Sequence, residues 1–219
     1  MQLAIRHDTI YRYAAPVRYS IQQLRLAPLT TPAQIVTQWH VDAPGKLDSA
    51  RDAYGNTLLT LVLTRPHQEI RLRVRGEVET LPLAEGRLPE GEGPIPAWYF
   101  TLPTKLTEAD DALTELAKTL APLDHPGAVL DAAAVVIERV RYERGVTDVA
   151  HSAADALALG SGVCQDHAHV MLALCRARGV PARYVSGYVD PGDVPEAASH
   201  AWVDVWLDGG WVTVDVTHA

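Results

Sequence analysis

A chain of 219 residues with 47% hydrophobic content can bury a sizeable core, as one large domain or two small ones. A formal charge of -8 and a pI near 5.5, with no Lys/Arg run or basic aromatic patch, argue against a nucleic-acid or anionic-membrane surface. No basic stretch leads into an apolar core at the N-terminus and no apolar run is long enough to span a bilayer, so a soluble cytoplasmic protein is expected.

The first segments read as strands. Leu3 to Tyr13, Tyr19 to Pro28, Ile35 to Val41, Leu58 to Thr64 and Ile70 to Val78 are short and rich in Val, Ile, Thr, Tyr and Leu. Asp52-Ala53-Tyr54-Gly55-Asn56 is a turn signal between strand-like runs. Arg71, Arg73 and Arg75 alternate with Leu72, Val74 and Gly76 as on a half-exposed strand. His7, His40 and His67 have no acidic or thiol partner at a telling spacing, and surface or capping roles suit them better than chemistry. Residues 1–81 are therefore expected to form an all-β accessory domain. From Leu81 to Pro94, prolines, glycines and charges replace the alternation, and a linker is placed over 82–106.

Residues 107–219 are helical before they are extended. Thr107-Glu108-Ala109-Asp110 resembles an N-cap with an acid three residues on, opening a helix to about Leu120. A second helix is expected from about Gly127 to Tyr142, with Leu130, Ala134, Ile137 and Tyr142 among its apolar positions. Ser152 precedes a short alanine-rich helix ending at Gly160. Gly160-Ser161-Gly162 then runs into a helix that starts at Cys164 and is apolar nearly all round to Ala177, as a buried helix would be. Gly179 and Pro181 end it. Arg183 to Val189 reads as a strand, followed by a Pro/Gly-rich loop and a hairpin of His200 to Leu207 with Trp211 to Val216.

The hairpin's register has a chemical consequence. Asp208-Gly209 is a favoured two-residue type I′ turn and pairs Trp206 with Trp211, Asp204 with Thr213, Trp202 with Asp215 and His200 with Thr217. His200 and Asp215 then share a face as diagonal neighbours, about 7–8 Å apart at the backbone. The opposite face is Ala201, Val203, Val205, Val212, Val214 and Val216, an apolar surface for the buried helix. A Gly209-Gly210 turn would separate the pair by roughly 13 Å.

A thiol at a helix start meets the positive end of the helix dipole and unpaired N–H groups, which favour the thiolate. Cys164 with His200 and Asp215 thus supplies the parts of a Cys-His-Asp triad: nucleophile, acid–base and orienting carboxylate. The Cys164 N–H is the first oxyanion donor. Trp202, opposite Asp215, would shield the ion pair, and Tyr142, Gln165 and Asp166 are polar neighbours. Cys175 lies three helical turns further on, roughly 16 Å away, too far for a disulfide, and among Met171, Leu172 and Leu174 it reads as a buried hydrophobe.

Gly162-Val163-Cys164-Gln165-Asp166, Gly179-Val180-Pro181-Ala182-Arg183-Tyr184-Val185-Ser186-Gly187-Tyr188, Ser199-His200-Ala201-Trp202 and Gly210-Trp211 with Asp215 together resemble the bacterial transglutaminase-like family. The motifs cover about the last half of the chain in order, and the β-rich start resembles the N-terminal region that accompanies this core. The resemblance implies an α+β papain-like core in which a buried Cys-bearing helix packs on an antiparallel sheet. It also implies a catalytic triad at Cys164, His200 and Asp215, and acyl transfer on peptide or protein amides with neither metal nor cofactor. His167 stands where the family usually has an aromatic residue, commonly Phe, and Val216 where proline is usual. Members usually continue further, which leaves C-terminal truncation open.

Other readings use the same residues. A catalytically silent peptide-binding module would keep the core geometry. A zinc-dependent hydrolase would draw on Cys164 and His167, one turn apart on a helix face, with His200 and Asp215. His167 and His169 are about 200° apart around the helix and cannot face one ion together. His167, one turn from Cys164, also competes with His200 as a base, though without an orienting carboxylate. His169 and His151 read as packing or surface residues. Water as acceptor makes the protein a protease or amidase and an amine makes it a transamidase; the loop Asp190 to Ser199 carries no specificity pattern.

Overall fold

The computed structural model describes residues 1–83, 86–88, 93–190, 192 and 199–219. Two compact units divide the chain, Met1–Leu83 and Ala84–Ala219. In the first, β1 (Gln2–Val17), β6 (His67–Thr80) and β3 (Gln34–Asp42) form one antiparallel sheet in that order. β2 (Ser20–Leu24), β5 (Thr57–Leu63) and β4 (Leu47–Arg51) form a second. Leu24, Leu61, Ile70 and Leu72 make a small core there, while Arg73 and Arg75 stay exposed between buried Leu72 and Val74. β4 was not expected from the sequence. Its Asp48, Ser49, Ala50 and Arg51 are exposed, so no buried face imposes an apolar alternation on it. The turn ahead of β5 is as expected, with Asp52 Oδ1 accepting from the N–H groups of Tyr54 and Asn56.

From Ala84 on, the stretch expected to be a linker is grouped with the second unit. Arg87–Leu88 (β7) pairs with Val212 and Trp211, and Ala97–Thr101 is a 3-10 helix whose Phe100 packs edge-on to Trp211 at 5.3 Å. α1 runs Asp111–Thr119, and its N-cap is Asp110, which accepts from the Leu113 N–H. Thr107, expected to cap it, is buried and accepts from Arg176. α2 (Pro126–Arg139) stops three residues short of Tyr142, because β8 (Arg141–Tyr142) pairs in parallel with β9 (Ser161–Gly162). α3 (Ala153–Leu159) starts at a Ser152–Asp155 capping box and ends at Gly160.

α4 (Cys164–Ala177) is the centre of this unit. Its Ala168, Val170, Met171, Leu172, Ala173, Leu174 and Cys175 are at most 1% exposed. Arg178 after it donates to the Ala117 and Leu120 carbonyls at 2.8 and 2.9 Å, closing the end of α1. One side of α4 meets α1, α2 and α3, the other a sheet of order β10 (Ala182–Gly187), β11 (His200–Leu207), β12 (Gly210–Val214) and β7. The hairpin has the Asp208-Gly209 turn, with φ of 47° and 78°, and pairs Trp206 with Trp211 and Asp204 with Thr213. Ala201, Val203, Val205, Val212, Val214 and Val216 are all buried in the cluster that contains α4. β12 ends one residue before Asp215, so the expected pairing of Trp202 with Asp215 and of His200 with Thr217 does not form; Val216–His218 coils into a 3-10 turn. This is an α+β, papain-like core preceded by a β-rich unit.

Candidate active site

Cys164 occupies the first helical position of α4, half-buried, and is a free thiol. The loop before it is held from both sides. Glu143 N–H donates to the Gly162 carbonyl at 2.7 Å, and Asp166, in the third helical position, reaches back to accept from the Val163 N–H at 2.7 Å. The same Asp166 oxygen accepts from the Thr147 hydroxyl at 2.6 Å. Gly162 is needed for this: a Cβ there would lie 2.6 Å from the Asp166 carboxylate. Residues of the glycine-rich loop therefore set where the Cys164 backbone begins its helix.

His200 opens β11 and is 8% exposed. Its Nε2 donates to Asp215 Oδ2 at 2.8 Å, which leaves Nδ1 as the ring nitrogen with a free lone pair. Trp202 lies beside it, ring centroids 6.1 Å apart, although it is not paired with Asp215 as expected. A Cβ on Gly187, which pairs with His200 across β10, would be 2.5 Å from the Trp202 ring, so this strand must be bare at that point. Asp215 caps the 3-10 turn by accepting from the Thr217 N–H, and its Oδ2 also accepts from His218 Nδ1 at 2.9 Å. Burial raises the Asp215 carboxyl pKa, but the hydrogen bonds and charges of His218 and His200 outweigh it and hold the group below its ordinary value.

His167 is not a base or a ligand for this site. Its Nε2 donates to the Val140 carbonyl at 2.8 Å, so Nδ1 accepts from the Thr217 hydroxyl at 3.1 Å. Burial pushes its pKa below 6.5, against the opposing pull of the Val140 carbonyl and of Asp166 and Asp215. Both ring nitrogens are occupied, and the zinc set of Cys164, His167, His200 and Asp215 does not assemble. Tyr142, half-exposed, lies beside the Cys164 loop through its pairing with Gly162 and its ring is 6.1 Å from that of His167. Gln165 is half-buried next to Cys164. His169 is buried against Tyr184 and His151 pairs with Asp148, the packing and surface roles expected of them.

Three groups were missed by sequence reasoning. Tyr184, on β10, is near Cys164: burial, with the charges of Cys164 and Asp166, pushes its phenol up to about 12. Thr217 joins the Asp215 turn to α4 through His167. His218 shares Asp215 with His200. The signal for His218 was its place three residues after Asp215, a spacing that meets on a helical turn and not on the strand expected there. The loop Asp190 to Ser199, which carried no specificity pattern, lies mostly outside the described residues. Among those residues, no helix is long and apolar enough to cross a membrane.

Residues 113–216 match the model of the transglutaminase-like superfamily, and residues 3–79 match the bacterial transglutaminase-like N-terminal region. An uncharacterized protein of Mycobacterium leprae is 33% identical over 99% of this chain and 83% of its own length. A protein-glutamine gamma-glutamyltransferase of Pseudomonas aeruginosa is 39% identical over 67 residues, 26% of this chain and 10% of that protein. The crystal structure of a candidate cysteine protease from Cytophaga hutchinsonii superposes with a TM-score of 0.79 at 24% identity, covering 99% of this chain and 76% of that one. That likeness shows the papain-like fold. With both regions matched in order and a relative aligned along nearly the whole sequence, the chain belongs to the transglutaminase-like superfamily.

Proposed function

We infer that the protein is an acyl-transfer enzyme that attacks peptide or side-chain amides with Cys164 and passes through a thioester. The observation that carries this reading is the 2.8 Å hydrogen bond from His200 Nε2 to Asp215 Oδ2, which orients a buried imidazole with its other nitrogen free. In the first step Nδ1 takes the thiol proton as Sγ adds to the amide carbonyl. The oxyanion that forms is met by the Cys164 N–H at the start of α4, where helix N–H groups have no carbonyl partner of their own. The C–N bond then breaks and the Nδ1 proton leaves with the amine. An acceptor next adds to the thioester, losing its proton to Nδ1, and the thiolate departs with that proton. Asp215 keeps the ring in one tautomer and stabilises its charged form throughout.

Water as acceptor makes this a protease or amidase, and an amine makes it a transglutaminase. The Cytophaga and Pseudomonas relatives carry names of the two kinds. A silent peptide-binding module is the second reading, and it predicts a thiol indifferent to His200. Intact-protein mass after treatment with a thiol-directed electrophile separates them. Wild type takes one adduct at Cys164, Cys164→Ala takes none, and His200→Ala reacts about 100-fold or more slowly, the lower range of what a positioned base contributes. Cys175 stays unmodified because burial pushes its thiol up to about 12. Equal, slow modification of both cysteines would sink the enzyme reading. Peptide and isopeptide amides, tried with and without an added amine, then tell the acceptor.

A further inference from the structure

One oxygen of Asp215 serves two imidazoles. Its Oδ2 is 2.8 Å from His200 Nε2 and 2.9 Å from His218 Nδ1, and the three atoms all lie within 4.8 Å of one another. Two imidazole nitrogens and a carboxylate oxygen on so small a triangle are the donor set of open, three-ligand zinc sites. With zinc–ligand bonds of about 2.0–2.1 Å, a tetrahedral edge is about 3.3 Å, so each imidazole has to part from the carboxylate by about half an ångström while the two ring nitrogens, within 4.8 Å of one another, close to that edge. His218 can follow that movement, since its side chain is 65% exposed on a single 3-10 turn, whereas that of His200 is 8% exposed.

We propose that His200, Asp215 and His218 form an inhibitory zinc site built around the carboxylate of the triad. The inhibition rests on His200 being the proton carrier of the acyl-transfer reaction. Zinc takes the Nε2 lone pair of His200, so a bond forms between metal and Nε2 and the hydrogen bond to Asp215 breaks. In each neutral ring the one proton then resides on the nitrogen away from the metal, Nδ1 of His200 and Nε2 of His218, and an imidazolium releases its second proton to solvent. A ring metallated at Nε2 and protonated at Nδ1 has no lone pair for the Cys164 proton, and the thioester cannot form. Removing the metal restores the original tautomer, so the block is reversible. Magnesium, which prefers six oxygens, does not suit the site.

Zinc binding can be measured without catalysis. Calorimetric titration of Cys164→Ala with zinc chloride is expected to show one site per chain, and Cys164→Ala/His218→Gln to bind at least about tenfold more weakly, the scale on which even outer partners alter metal affinity. His218→Ala in the same background is a second variant, with folding checked by circular dichroism. Wild-type turnover is expected to fall with zinc, recover with EDTA and ignore magnesium. His218→Gln, scored against its own metal-free rate, should need at least about tenfold more zinc. Loss of binding in Cys164→Ala itself would make the thiol the ligand and overturn the site, as would equal affinity with and without His218. Zinc binding as expected in a protein with no amide turnover would keep the site and remove the enzyme reading. Turnover indifferent to bound zinc would overturn the inhibition.

Discussion

His167 stands where the family usually carries an aromatic ring, and its two nitrogens explain how an imidazole suits that place. It spans from the Val140 carbonyl to the Thr217 hydroxyl and so ties the turn that bears Asp215 to the helix that bears Cys164. His167→Phe keeps the ring but abandons both partners, and is expected to cost about 1–3 kcal/mol of stability in urea unfolding. It should also lower kcat about tenfold with little change in KM, since it misplaces Asp215 without touching substrate. Thr217→Val is expected to act in the same direction, and the double variant to be less impaired than the two effects combined. Independent, fully additive effects would show that the two residues do not work as one link. The presence of this histidine was plain in the sequence. Its role was not, because its partners are 27 and 50 residues away and neither carries a motif.

α4 was legible as a buried helix because its apolar residues run nearly all round, and its boundaries followed from local chemistry, a glycine-rich entry and Gly179-Val180-Pro181 at the exit. Its burial has a pH consequence. His169 is buried on α4, with Nδ1 facing no partner among the described residues, and burial holds its pKa below the ordinary 6.5. The unfolded chain takes up a proton at about 6.5 and the folded protein only at lower pH, so between the two the unfolded state binds more protons. Stability is therefore full above about pH 6.5 and is lost as pH falls below it. His167 adds in the same sense. Urea unfolding at about pH 7.5 and about pH 5.5 should show the fall in wild type, and a shallower one in His169→Gln; identical slopes would contradict a neutral, buried His169. The hairpin shows the limit of element-scale reading. Turn chemistry set its register correctly, but a paired strand was carried through Asp215, where the chain in fact turns into a helical coil. That coil brings His218 to Asp215.

Among the described residues, one hydrophobic cluster lies in each unit, around Leu61, Ile70 and Leu72 in the first and around α4 in the second, with no residue in common. Leu72, 1% exposed, is expected to cost about 2–5 kcal/mol when cut to alanine. That loss should appear as an earlier denaturant transition, while the rate at which an electrophile modifies Cys164 in native buffer stays within about twofold. A parallel collapse of Cys164 reactivity would show that the first unit supports the site. Residues 82–106, by contrast, read as a spacer because prolines, glycines and charges have the composition of a linker. Only the partners of Arg87, Leu88 and Phe100 on the sheet show otherwise. By itself the sequence determined the β-rich start, the buried cysteine helix and the Asp208-Gly209 register, and it put forward Cys164, His200 and Asp215 as candidates, because periodicity, caps and turn geometry act over a few residues. Tertiary structure alone decided that His167 links Val140 to Thr217, that Thr217 and His218 meet Asp215 and that β7 and Phe100 reach β12. All but the turn at Asp215 depend on contacts between groups distant along the chain, which no local pattern encodes.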